Sequence, residues 1–370
     1  MRTPSSPAGA ERSGGSSVRI GALVPLTRPG WGEAGRHLLA GLELAVREVN
    51  DAGGIGGRPL ELVVRDTAAD PQRAVAAVDE LAGLGVAALA GEYHSVVARA
   101  AAGRADALGL PFLCSSAVLD PLTEQPTEWV ARLAPAQSRG WQIYADFLLR
   151  EGHSRVAVAA QSSVYWASGV RILRDHLVPR GGTVIELDMG VLTPATVCDE
   201  LVGDGATALL LLVGHPEPAV SIVESVRRHP RLAGIMIGAP AGQPEFAEWV
   251  RSLGDDGAAI PFLRYLPEHL SPLGARVEAA LRERLAEAPS FVAFEGYDSI
   301  AVLAEVLRSH GTDRARIAAS WARVAVEGTR GQIRFSRPAG ISVWQWAWAP
   351  VQVVDRDPAE PDRFRILHAG

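Results

Sequence analysis

At 370 residues the chain is long enough to bury two separate cores, and its 48% hydrophobic and 21% charged residues are those of a globular protein. A net charge of −6, with no basic stripe and no aromatic-interleaved basic patch, argues against nucleic acid as a partner. No apolar run approaches the ~18 residues of a membrane span, so direct membrane insertion is not expected.

Residues 1–17 are Pro, Ser, Gly and Ala with three charges. They lack the apolar core of a signal peptide and a cysteine for lipid attachment, so a disordered leader and a cytoplasmic protein are expected. Residues 18–26 are a short apolar run bounded by Gly and Pro, which predicts a buried parallel strand. A polar, Gly-containing loop holding Trp31 follows. Leu38, Leu42, Ala45, Val46 and Val49 then recur at helical spacing, with Glu43, Arg47 and Glu48 on the other face. Gly53 and Gly54 supply the left-handed conformation that closes a helix, and 60–66 is a second strand. This is one βαβ unit.

The string Asn50-Asp51-Ala52-Gly53-Gly54-Ile55-Gly56-Gly57-Arg58-Pro59-Leu60, followed by Asp66 and Asp70-Pro71-Gln72-Arg73-Ala74-Val75, resembles the signature of type I periplasmic binding proteins. Within that superfamily it is most similar to the branched-chain amino-acid, amide and urea receptors, and the resemblance covers about residues 18–354. It implies an α/β fold of two doubly wound parallel-sheet lobes joined by a three-segment hinge. It also implies a small-molecule ligand, with a regulator or a transporter as partner, and no cofactor or metal.

Farther along, 72–84 is a helix, 86–90 a strand, 96–108 a helix and 111–114 a strand. Alternation of this kind builds a doubly wound sheet, in which ligands bind off the carboxyl ends of the strands. Crossings between lobes are expected near Pro135, Pro261 and Phe335. Lobe one then holds 18–134 and 261–334, lobe two holds 135–260 and 335–366, and 367–370 is a tail. Trp344, Trp346 and Trp348 alternate, which puts three indoles on one strand face, packed under a helix or forming a ligand wall.

The strand ends name the candidates. In lobe one these are Trp31, then Glu92, Tyr93, His94 and Ser95, then Ser115, Ser116, Ala117 and Val118. A helix beginning at Ser95 offers free N–H groups to a carbonyl or carboxylate, with Ser95 either a ligand contact or an N-cap. In lobe two they are Tyr165, Trp166, His215 and Pro240, while Glu295 and Tyr297 come from an aromatic-rich helix start that resembles the family's. By the resemblance, an amino-acid receptor carries a hydroxyl where this chain has Ala117-Val118, and a carboxylate where it has Ala239-Pro240. A buried ammonium without a counter-charge is costly, and Glu92 and Asp298 are the replacements on offer. The expected ligand is therefore an amide, an aromatic or a modified amino-acid-like molecule. The alternative is an enzyme on this fold, with Glu92, His94, His215 and Cys114 converging for acid–base work. No nucleophile elbow, phosphate loop or tight metal spacing accompanies them, and Cys114 and Cys198 give no basis for a disulfide.

Overall fold

The computed structural model describes residues 16–370; the expected leader lies almost wholly outside them. The chain folds into two α/β lobes. In the first, seven strands lie side by side in the order Phe335–Ser336, Trp344–Trp346, Val130–Arg132, Phe112–Cys114, Ala88–Gly91, Val18–Val24 and Leu60–Asp66. All pairs are parallel except the first. One face is covered by the helices Pro71–Gly83 and Ser95–Ala107, whose Leu81, Val97 and Ala101 meet Leu89 and Phe112 in one cluster. On the other face, Gly32–Asp51 packs against Phe291–His310. These two helices approach so closely that a Cβ on Gly41 would stand 1.9 Å from the Ala293 carbonyl oxygen. Glycine is therefore required there by space.

The second lobe has four parallel strands in the order Thr183–Asp188, Arg155–Ala160, Ala208–Leu212 and Met236–Gly238. An antiparallel trio, Phe262–Arg264, Gln352–Arg356 and Phe364–Ala369, extends it through a bond from Ala239 N to Pro261 O (2.8 Å). The Gln137–Arg150 and Val164–Leu177 helices pack together on this lobe, and Trp249 is fully buried with Leu209, Leu211, Val213 and Ile260.

The structure corrects four expectations. The Trp-rich strand belongs to the first sheet, where Trp344 and Gln345 pair with Ala131 and Arg132. The third crossing is therefore made by 347–351, after the Trp strand, and not at Phe335. Side-chain alternation reports which face a residue takes, never which sheet its strand joins. The three-indole face does not form either: the strand ends at Trp346, which is buried, while Trp348 is 79% exposed. The second return follows Arg264, because Phe262–Arg264 pairs with Gln352–Arg356. Finally, most of the expected 367–370 tail is strand. Among the described residues no helix is long and apolar enough to cross a membrane.

Candidate functional site

Between the lobes lies a cavity of about 600 Å³, walled by strand-end loops of both. Nine predicted residues line it: Trp31, Tyr93, His94, Ser95, Ser116, Val118, Tyr165, Trp166 and His215. Two helix N-termini open onto it, Ser95–Ala107 from lobe one and Val164–Leu177 from lobe two. First-turn N–H groups have no partner within a helix and favour a negative or carbonyl group.

Ser95 is not an N-cap. Its Oγ accepts from Val118 N (3.2 Å) and Leu119 N (3.3 Å), which ties the helix start to the neighbouring loop. With both lone pairs engaged, its hydroxyl proton is left to donate, so this end of the cavity suits an acceptor. Tyr93 adds a phenol that burial pushes up and keeps protonated. Other lining atoms are acceptors. Gln243 is buried and donates Nε2–H to Val213 O (3.0 Å), leaving Oε1 unpartnered. Ser116 Oγ is likewise buried, with the Glu295 carboxylate behind it to take its hydroxyl proton, which leaves the oxygen as an acceptor.

Aromatic rings close the space between these polar ends. Trp31, from lobe one, stacks on His215 of lobe two at 5.3 Å and 11°, and meets Phe246 at 4.7 Å. Tyr93 stands edge-on to Trp31, and Tyr165 packs against Trp166 at 4.7 Å. At the rim Glu33, a buried lobe-one carboxylate, accepts from Ala247 N (2.8 Å) and Glu248 N (3.0 Å) of lobe two. Arg28 pairs with Glu248 beside it (3.1 Å). The lobes are thus held closed over the cavity.

Six predicted residues do not line it. Glu92 folds back: Oε1 accepts from Tyr93 N and His94 N (both 2.9 Å) and Oε2 from Thr67 Oγ1 (2.7 Å), so it braces its own loop. Burial raises its carboxyl to about 7. Ser115 is buried against Ser299 (2.7 Å), and Ala117 lies in the lobe-one core. Pro240 is buried while its neighbour Ala241 lines the cavity. Glu295 and Asp298 share the buried Arg330 at 3.0 Å each. Tyr297 binds Glu48 Oε2 (2.7 Å) between helices of lobe one. Gln243, Tyr265 and Phe291 line the cavity without having been expected there. The sequence signals for them are weak: Gln243 is one polar residue between Gly242 and Pro244, and Phe291 is one apolar residue at a helix start.

The residues considered for acid–base work do not form a set. His94 Nε2 accepts from Trp31 N (3.1 Å), and burial holds the ring down at about 4, so it is neutral and engaged. Cys114 is fully buried and its thiol is pushed up to about 12. Desolvation likewise lowers His215. One further cluster brings Glu33, His37 and Glu287 within 4.8 Å of one another. There His37 Nδ1 accepts from Ser290 N (3.0 Å), which leaves the proton on Nε2, donated to Glu287 (3.0 Å). A ring in that tautomer has no lone pair for a metal.

The family described as "Periplasmic binding protein" matches residues 17–355. The Leu/Ile/Val-binding protein homolog 3 of Brucella melitensis is 25% identical over 179 residues, 48% of this chain and 48% of that protein. The match thus spans about half the length of this relative. Among solved structures, a leucine-binding protein from Thermotoga maritima superposes with a TM-score of 0.81 at 19% identity, covering 95% of this chain and 98% of that one. A solute-binding protein of an ABC transporter from R. palustris, in complex with benzoate, gives 0.78 at 17% identity, covering 95% and 96%. At these identities the structures share the fold.

Proposed function

We propose, for a chain that belongs to the periplasmic binding protein family, that the two lobes close on one small amide, aromatic or modified amino-acid-like ligand. The observation that carries this reading is the cavity itself, lined by residues of both lobes, with the Trp31–His215 stack across its mouth. An acceptor end of the ligand sits at Ser95 and the Ser95–Ala107 helix start, a planar or apolar body lies among Trp31, Tyr93, Tyr165 and Trp166, and an N–H reaches Gln243 or Ser116. Most of the affinity comes from apolar area removed from water, at about 25 cal/mol per Å². The polar ends select orientation. Ligand binding favours the closed arrangement because neither lobe alone completes the site. The names of the relatives support a transporter-type receptor, with a transporter or regulator reading the closed form.

Calorimetric titration of aromatic acids, their amides and the branched-chain amino acids tests this. Micromolar binding of at least one aromatic acid or amide, weakened at least tenfold by Ser95→Ala, is the expected result. Tight binding of leucine, isoleucine or valine alone would overturn the ligand class. Turnover of a bound molecule would overturn the receptor reading in favour of an enzyme.

A further inference from the structure

Arg132 is fully buried, and no carboxylate pairs with it among the described residues. Its Nε donates to Gln345 Oε1 (2.7 Å), and Nη1 donates to the carbonyls of Val118 (3.0 Å) and Leu119 (2.6 Å). Nη2 has no partner. Every acceptor is neutral, and Asp120 acts on it at longer range, while burial opposes the charge. A buried cation in such a setting is costly unless an anion compensates it.

The contacts of Arg132 lead directly to the cavity. The Val118 carbonyl that Nη1 holds belongs to the same peptide unit as Leu119 N, and Leu119 N donates to Ser95 Oγ. The chain therefore runs from guanidinium to peptide, from peptide to hydroxyl, and from hydroxyl to whatever the Ser95 proton meets. Each member polarises the next in a low-dielectric interior. Val118 itself lines the cavity, so the charge stands one peptide layer behind the wall.

We propose that Arg132 is a positioning residue that makes the Ser95 end of the site selective for an anion, so that the ligand carries a carboxylate there and not a neutral amide. This inference rests on the binding reading above and narrows it to acids. Through one layer of protein a unit charge is sufficient for an acid-over-amide preference on the order of tenfold to a hundredfold.

The test uses the full chain and two matched pairs, benzoate with benzamide and phenylacetate with phenylacetamide, titrated by calorimetry. Wild type is expected to prefer each acid at least tenfold. Arg132→Met removes the charge and Gln345→Glu neutralises it in place, and either is expected to bring the ratio to within about threefold of one. Arg132→Lys, which keeps the charge, is expected to restore the preference. A purely structural Arg132 would move acid and amide together, and an unchanged ratio in either folded variant overturns the proposal; Gln345→Glu serves if Arg132→Met does not fold. Equal binding of acid and amide by wild type overturns it too, while leaving the receptor reading standing. Binding of none of the four by wild type would overturn the proposal, while the receptor reading stands or falls on the wider panel above.

Discussion

Removal of the Glu33 carboxylate is expected to weaken ligand binding without touching the ligand. Glu33 sits at the lobe-one rim and accepts two backbone N–H groups of lobe two, at 2.8 and 3.0 Å, with the Arg251 guanidinium at 3.5 Å. Hydrogen bonds to a charged group contribute about 1.5–3 kcal/mol each. The Arg251 contact is largely solvent-exposed and adds little. In an opened molecule water serves all these groups, so only part of the gain distinguishes closed from open. Glu33→Ala is then expected to shift the hinge equilibrium by about 2–3 kcal/mol, or roughly 30-fold to 150-fold. Apparent Kd rises by that factor where the closed form is the binding-competent one, and most of the change is in the dissociation rate. Stopped-flow and calorimetry on the variant, alongside Glu33→Gln as a partial loss, measure it. An unchanged Kd in a variant with an unchanged melting temperature would refute the rim contact as a closing device.

Further outcomes follow from other parts of the site and core. Trp31→Ala removes the cross-cleft stack on His215 and is expected to cost on the order of tenfold to a hundredfold in affinity, read by titration. Burial raises Glu92 from 4.5 to about 7, so its contribution to stability is full below pH 4.5 and is lost as pH rises through 7. Glu92→Gln should therefore gain on wild type over that window, by up to about 3 kcal/mol, in denaturant melts at pH 4.5 and 8. Identical pH profiles would contradict it. Gly41→Ala forces a Cβ onto the Ala293 carbonyl and is expected to destabilise lobe one by about 1–3 kcal/mol, seen as a lower urea midpoint.

Much of this was legible because local pattern and local chemistry agree. The first βαβ unit, the strand ends and nine cavity residues follow from apolar runs stopped by Gly, Pro and small polar residues. What was not legible depends on partners far along the chain. Glu33 reads as an ordinary first-turn acid, since its partners are over 210 residues away. Arg132 reads as one charge at the end of a short apolar run, and its role depends on Val118, Leu119 and Gln345. Glu92 carries the right chemistry at a strand end, but three short hydrogen bonds turn it inward. The Trp strand joins lobe one by pairing with Val130–Arg132, and that pairing leaves no mark in its own alternation.

The central claim is that a small molecule stabilises the closed pair of lobes. Small-angle scattering on the same sample, before and after saturation with the tightest-binding acid of the panel, tests it most directly. The account predicts a smaller radius of gyration with ligand in wild type, and a free Glu33→Ala protein more open than free wild type. Equal radii with and without ligand in both proteins would contradict it.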